Sequence, residues 1–200
     1  MTDRYDTSGN PEDEYYPDTS VLINLEDIRD PDGLIRRETE LQIAAYEEVF
    51  TSFDETLIPD LPFFYSLHHK MFSPLFVWAG RPRTVSISKG GTPFCAPRNI
   101  DGTMNALFSE LERESWLGGL NLDSFLDRAA YYTCEINAVH PFREGNARAI
   151  RFYIDVLSAR TRGDLFDWRQ TNPKDYLQAC VAGFRGDYER MKLVLQRCAV

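Results

Sequence analysis

From His140 to Arg151 the chain reads His-Pro-Phe-Arg-Glu-Gly-Asn-Ala-Arg-Ala-Ile-Arg, twelve residues holding an imidazole, a carboxylate, a glycine and two arginines three positions apart. Gly145 permits a backbone turn that L-residues resist. The amides of Gly145, Asn146 and Ala147 then fall at the start of a helix, where unsatisfied N–H groups and the helix dipole favour an anion. Arg148 and Arg151, at i and i+3, can project from one side of that helix. Together they suit a polyphosphate. Glu144 would be repelled by phosphate unless a divalent cation bridged them. His140 carries a side chain able to titrate near neutrality, suited to take a proton from a hydroxyl attacking phosphorus at the helix start. Phe142 is expected to point into the core and pin the loop.

Each feature has a plainer explanation when taken alone: a histidine that ends a helix before proline, an arginine pair on a solvated face, a Gly-Asn turn. Their co-occurrence within twelve residues favours a site. A P-loop is excluded because GxxxxGK[ST] does not occur. A zincin pairing of His140 with Glu144 fails because Pro141 keeps the two off one helical turn. Three histidines in all, His68, His69 and His140, leave few candidates for imidazole chemistry. Cys95, Cys134, Cys180 and Cys198 follow no metal-ligand spacing and read as reduced thiols.

The elements that must position these residues are mostly helical. Asp30-Pro31-Asp32-Gly33 is a turn before a helix over 34–50, and Pro59 and Pro62 bracket the start of a helix over 63–72. Residues 84–88 alternate polar and apolar, Lys89-Gly90-Gly91-Thr92 turns, and 93–97 return, which predicts a short β-hairpin. Helical spacing resumes from Asn99 through Leu107, Leu111 and Trp116 to Gly118-Gly119. The clearest periodicity follows, Leu122, Phe125, Leu126, Ala129, Ala130, Thr133 and Ile136, ending at His140-Pro141. Ala149, Ile150, Tyr153, Ile154 and Leu157 mark the next helix, and helices are predicted from Pro173 to about Gly183 and from Asp187 to Arg197. The fold class expected is all-α with one hairpin, in a single domain over 21–200 behind a flexible acidic arm over 1–20.

The net charge of −9 argues against nucleic acid or an anionic membrane as partner, although −5 of it lies in residues 1–20. No apolar run of about 18 residues spans a membrane, and the first residues lack a secretory signal. The expectation is a cytoplasmic protein, with translocation into a host cell as the alternative.

His140 to Arg151 resembles the Fic-domain motif HxFx(D/E)(G/A)N(G/K)RxxR, matching at His140, Phe142, Glu144, Gly145, Asn146, Arg148 and Arg151 and departing at Ala147. The likeness extends to Val21–Leu25, Phe76–Gly80, the hairpin from Lys89 to Cys95 and the segment from Cys134 to Val139, roughly residues 15–198 in all. The resemblance implies a Fic-type helical bundle with a short β-hairpin flap. It implies an enzyme that moves AMP from ATP to a Ser, Thr or Tyr hydroxyl of a protein and releases pyrophosphate. In that scheme His140 is the base, Glu144 holds Mg²⁺, Gly145, Asn146 and Ala147 form the anion nest, and Arg148 and Arg151 bind the outer phosphates. Lys89 and Gly90 belong to the flap that docks the target by strand pairing. Gln178 corresponds to an adenine contact, with Tyr176 beside it.

Ala147 lacks the lysine of the kinase branch of the family, which favours AMP transfer over phosphorylation. A catalytically impaired nucleotide- or peptide-binding module is the other alternative. The inhibitory signature [ST]xxxE[GN] does not occur in full, since neither Ser8/Glu12 nor Thr51/Glu55 is followed by Gly or Asn. A small antitoxin protein supplying the inhibitory glutamate is therefore expected, as in toxin–antitoxin pairs of the family.

Overall fold

The computed structural model describes residues 6–8, 15–54 and 56–199. Glu12 and Glu55, the acids of the two partial inhibitory signatures, lie outside them. Among the described residues the chain forms seven α-helices and a small antiparallel sheet.

Helix α1 (Pro31–Thr51) begins at Asp30, whose carboxylate accepts from the Gly33 amide at 2.7 Å. Helix α2 (Leu61–Phe72) begins at Asp60, which accepts from Phe63 N at 2.9 Å. Both have proline in the first turn, where its missing N–H costs nothing. Helix α3 (Pro97–Arg113) stops short of the expected Gly118 because Ser115, Trp116 and Leu117 turn left-handed and bury Leu117. Helix α4 (Leu122–Val139) runs through the middle of the domain, with Phe125, Ala129, Ala130 and Ile136 fully buried. It packs on α3, on α5 (Asn146–Arg162), on α6 (Pro173–Gly183) and on α7 (Glu189–Cys198). Gly183 lets α6 lie against α4, since a Cβ there would sit 2.3 Å from Cys134 Sγ.

The sheet has the order β1-β2-β3, from Asp6–Thr7, Ile87–Lys89 and Thr92–Pro93. The hairpin turn is Gly90-Gly91, both with positive φ (57° and 75°), so the strands are shorter and set later than the alternation in 84–88 suggested. Strand β1 is a departure from the arm expected over 1–20. Asp6 and Thr7 register against Ser88 and Ile87, and Ser8 exchanges hydrogen bonds with Ser86, at 3.0 Å each. Tyr15 and Tyr16 are buried, and Tyr15 bridges to Leu22. The alternating pattern in 84–88 reveals a strand with a partner on one side; the short polar stretch that pairs on its other side has no apolar period to announce it. No helix among the described residues is long and apolar enough to cross a membrane.

Candidate active site

Helix α4 ends where the chemistry-bearing segment begins. His140 is its C-cap, left-handed at φ 52° and ψ 61°, a conformation that costs a non-glycine residue about 1–2 kcal/mol. Contacts from both backbone and ring hold it there. Its N–H donates to Ile136 O at 2.9 Å, its Nδ1 lies 3.1 Å from Asn137 O, and the Phe94 ring of the hairpin stacks on the imidazole at 4.0 Å. A carbonyl can only accept, so Nδ1 carries the proton and Nε2 is the basic nitrogen. Burial pushes the imidazole down to about 3, with Arg83 and Lys89 adding to the effect, so the ring is neutral at physiological pH.

The loop after His140 is built from the core outward. Phe142 is fully buried and stacks on the His68 ring at 3.7 Å. Asn146 closes the turn, accepting from Phe142 N at 2.9 Å and donating to Phe142 O at 2.8 Å. His68 braces the same loop from α2. Its Nδ1 accepts from Gly80 N at 2.9 Å, which fixes the tautomer so that Nε2–H donates to Glu144 O at 3.0 Å. Gly145, the N-cap of α5, has φ 79°, and a Cβ there would meet Phe72 Cε2 at 2.5 Å. No side chain caps α5, so its first turn presents amides; the Gly145 amide donates to Glu144 Oε1 at 2.9 Å. Ala147 is helical and has no positive φ, so its departure from glycine leaves the backbone unstrained.

A cavity of about 620 Å³ opens beside this helix start. His140, Ala147, Arg151 and Lys89 line it, with Thr92 and Phe94 of the hairpin on one side and Trp168, Tyr176 and Phe184 on another. The sequence-predicted residues divide accordingly. Glu144, Gly145 and Asn146 are not in its lining; they form the turn that leads into Ala147, which is. Arg148 points elsewhere: its Nη1 lies 2.8 Å from Glu38 of α1, and its guanidinium covers the Phe72 ring at 4.7 Å. Gly90 sits at the exposed hairpin tip, and Gln178 is exposed and outside the lining, one residue from Leu177, which is in it. Spacing at i, i+3 suggests a shared direction for both arginines; the buried Glu38 carboxylate diverts the first.

Residues not singled out by spacing complete the wall. Arg151 lies 5.8 Å from the Trp168 ring centre and 5.4 Å from that of Tyr176. Trp168, in a single 3-10 turn, donates from Nε1 to Asp155 at 2.8 Å, and Asp155 also receives Tyr46 OH at 2.9 Å and Phe166 N at 3.0 Å. Asp155 is 1% exposed, and burial raises its carboxyl to about 6. The signals available in sequence were slight: His68 is one of three histidines and Trp168 one of three tryptophans. Among the described residues no cluster of three His, Cys, Asp or Glu could hold a metal alone. One carboxylate, Glu144, fits a cation that takes its remaining ligands from phosphate and water, as Mg²⁺ does.

Comparison with known proteins gives a consistent picture. Residues 59–158 match the Fic/DOC family. The chain is 32% identical to the "Probable protein adenylyltransferase Fic" of Escherichia coli K12, over 98% of this chain and 96% of that one. It is 33% identical to "Protein adenylyltransferase VbhT" of Bartonella schoenbuchensis, over 97% of this chain but 40% of VbhT. Among solved structures, the BepC effector of Bartonella tribocorum with bound AMPPNP superposes with a TM-score of 0.81 at 23% identity, covering 94% of this chain and 97% of that one.

Proposed function

This chain belongs to the Fic/DOC family, and from that premise, with relatives named as protein adenylyltransferases, we propose that it transfers AMP from ATP to a side-chain hydroxyl of a target protein. The observation that carries the reading is the placement of one neutral, tethered imidazole and the Arg151 guanidinium on a common cavity at a helix start. The hydroxyl oxygen of a Ser, Thr or Tyr attacks the α-phosphorus while its proton passes to His140 Nε2. The bond from that phosphorus to the bridging oxygen breaks, and pyrophosphate leaves with the electron pair. The α5 amides and Arg151 stabilise the charge that moves onto the phosphate oxygens. Glu144 would hold Mg²⁺, which when bound neutralises phosphate charge. Arg148, paired with Glu38, supports the helix start and reaches the outer phosphates only by exchanging partners. Gln178 stands near the adenine end in the same scheme, with Tyr176 as the nearer wall.

A target segment in extended form is proposed to seat over Lys89 and Gly90; β2 already pairs with β1 and β3, so strand addition uses the outer edge of β3 or displaces β1. The inhibitory glutamate for Arg151 is read as coming from a separate antitoxin protein, because the signature [ST]xxxE[GN] does not occur in full in this sequence.

The test is transfer of label from α-³²P-ATP to candidate targets, wild type beside His140→Ala. The variant should lose transfer by on the order of 10²–10⁴-fold while binding Mg-ATP with wild-type affinity. Transfer of label from γ-³²P-ATP instead would mark a kinase, and Mg-ATP binding without any transfer would mark a binding module.

A further inference from the structure

We propose that Arg83 is the positioning residue that seats His140 and the hairpin as one unit. The proposal rests on the reading of His140 as the proton acceptor. Arg83 lies outside the His140–Arg151 segment and is 5% exposed. Every hydrogen bond of its guanidinium goes to a main-chain carbonyl. Nε donates to His140 O at 2.8 Å, Nη1 to Val85 O at 2.7 Å, and Nη2 to Cys95 O at 2.5 Å and to Val139 O at 3.2 Å. Its own amide donates to Pro141 O at 2.8 Å.

The four carbonyls come in two pairs. Val139 and His140 end α4, where carbonyls have no donor within the helix and carry the negative end of its dipole. Val85 and Cys95 flank the hairpin, one before β2 and one after β3. A planar fork with five N–H donors can satisfy both pairs at once; an ammonium is a single point and cannot.

The arrangement reaches the imidazole from two sides. On the backbone side, Arg83 fixes the carbonyl of a residue held in the left-handed region. On the ring side it fixes Cys95, the residue after Phe94, whose ring stacks on the imidazole. Cys95 N also donates to Ala138 O at 3.4 Å, closing the circuit. The sheet that holds the hairpin has strands of only two or three residues, so its ladder is short and displacing the guanidinium should loosen hairpin and imidazole together.

The experiment compares Arg83→Lys and Arg83→Met with wild type by amide hydrogen exchange and by NMR of the histidine ring nitrogens and carbons, neither of which requires transfer activity. Exchange across residues 84–96 is expected to quicken at least ten-fold in both variants. The His140 ring signals should shift or broaden, and exchange in α2 and α5 should stay at wild-type rates. Lysine should restore part of the wild-type His140 signature that methionine loses. With a labelled target in hand, kcat should fall while the KM for ATP holds. Unchanged hairpin exchange and unchanged His140 signals would overturn the proposal. So would equal quickening in α2 and α5, or failure of both variants to fold, because Arg83 would then support the whole domain and not this junction. If wild type itself fails to bind Mg-ATP, the functional reading falls, while exchange and NMR still decide the coupling.

Discussion

At Gly145 two demands fall on one residue: a φ of 79° and the Phe72 ring 2.5 Å from where a Cβ would be. Gly145→Ala therefore adds both backbone strain and a core clash, and should lower stability by about 2–4 kcal/mol, read from urea denaturation. His140 makes a different prediction. Its imidazole is held down to about 3 by burial, against an ordinary 6.5. In the proposed reaction the base should then stay unprotonated well below neutrality. The kcat/KM for AMP transfer should show no acidic limb near pH 6.5 and should stay level to about pH 5. A limb centred at 6.5 would mean that the ring is hydrated before substrate arrives.

The connector between α5 and α6 has little regular structure, yet it supplies a wall of the cavity because Asp155 receives both Phe166 N and Trp168 Nε1. Trp168→Phe keeps an aromatic ring but removes the donor. Calorimetry should find AMPPNP bound several-fold more weakly, since a lost hydrogen bond to a charged group is worth about 1.5–3 kcal/mol and part of that appears as disorder of the wall. Asp155 also shows where sequence reading stops. Ile150, Tyr153, Ile154 and Leu157 fix the buried face of α5 by period alone, and that period gives no reason to place an acid among them. Asp155 is inside only because Tyr46, Phe166 and Trp168 bring donors from elsewhere in the chain. Arg83 is hidden for the same reason: it follows a proline in a loop, and its carbonyls come from segments up to 57 residues away. Glu38, in a polar run, reads as surface until Arg148 meets it. The loop from His140 to Asn146 was legible because its order comes from local rules, a proline that stops one helix and a glycine that starts the next.

At the scale of the domain, and among the described residues, the buried His68, His140 and Asp155 dominate the response to acid between pH 6 and 4. His68 and His140 are each pushed down to about 3, so the stability that they contribute is complete above 6.5 and is lost as pH falls toward 3. Asp155, raised from 3.8 to about 6, acts in the opposite sense: its contribution is present below 3.8 and lost as pH rises through 6. Between pH 6 and 4 two groups oppose one, so the unfolding free energy should drop by on the order of 1 kcal/mol per pH unit. Urea titrations at pH 7.5, 6, 5 and 4 measure the slope, and a His68→Phe chain should give a shallower one. A flat profile would mean that neither ring is kept from water.

Strand β1 runs antiparallel to β2, with Asp6 against Ser88 and Thr7 against Ile87, so its amino end is aimed at the Gly90-Gly91 turn. The backbone of Thr7 thus lies about one strand spacing, ~5 Å, from the strand that carries Lys89 to the cavity wall. A substitution that disturbs this pairing, such as Thr7→Pro, is thus expected to act on the cavity wall through β2, and its transfer rate beside wild type measures that reach.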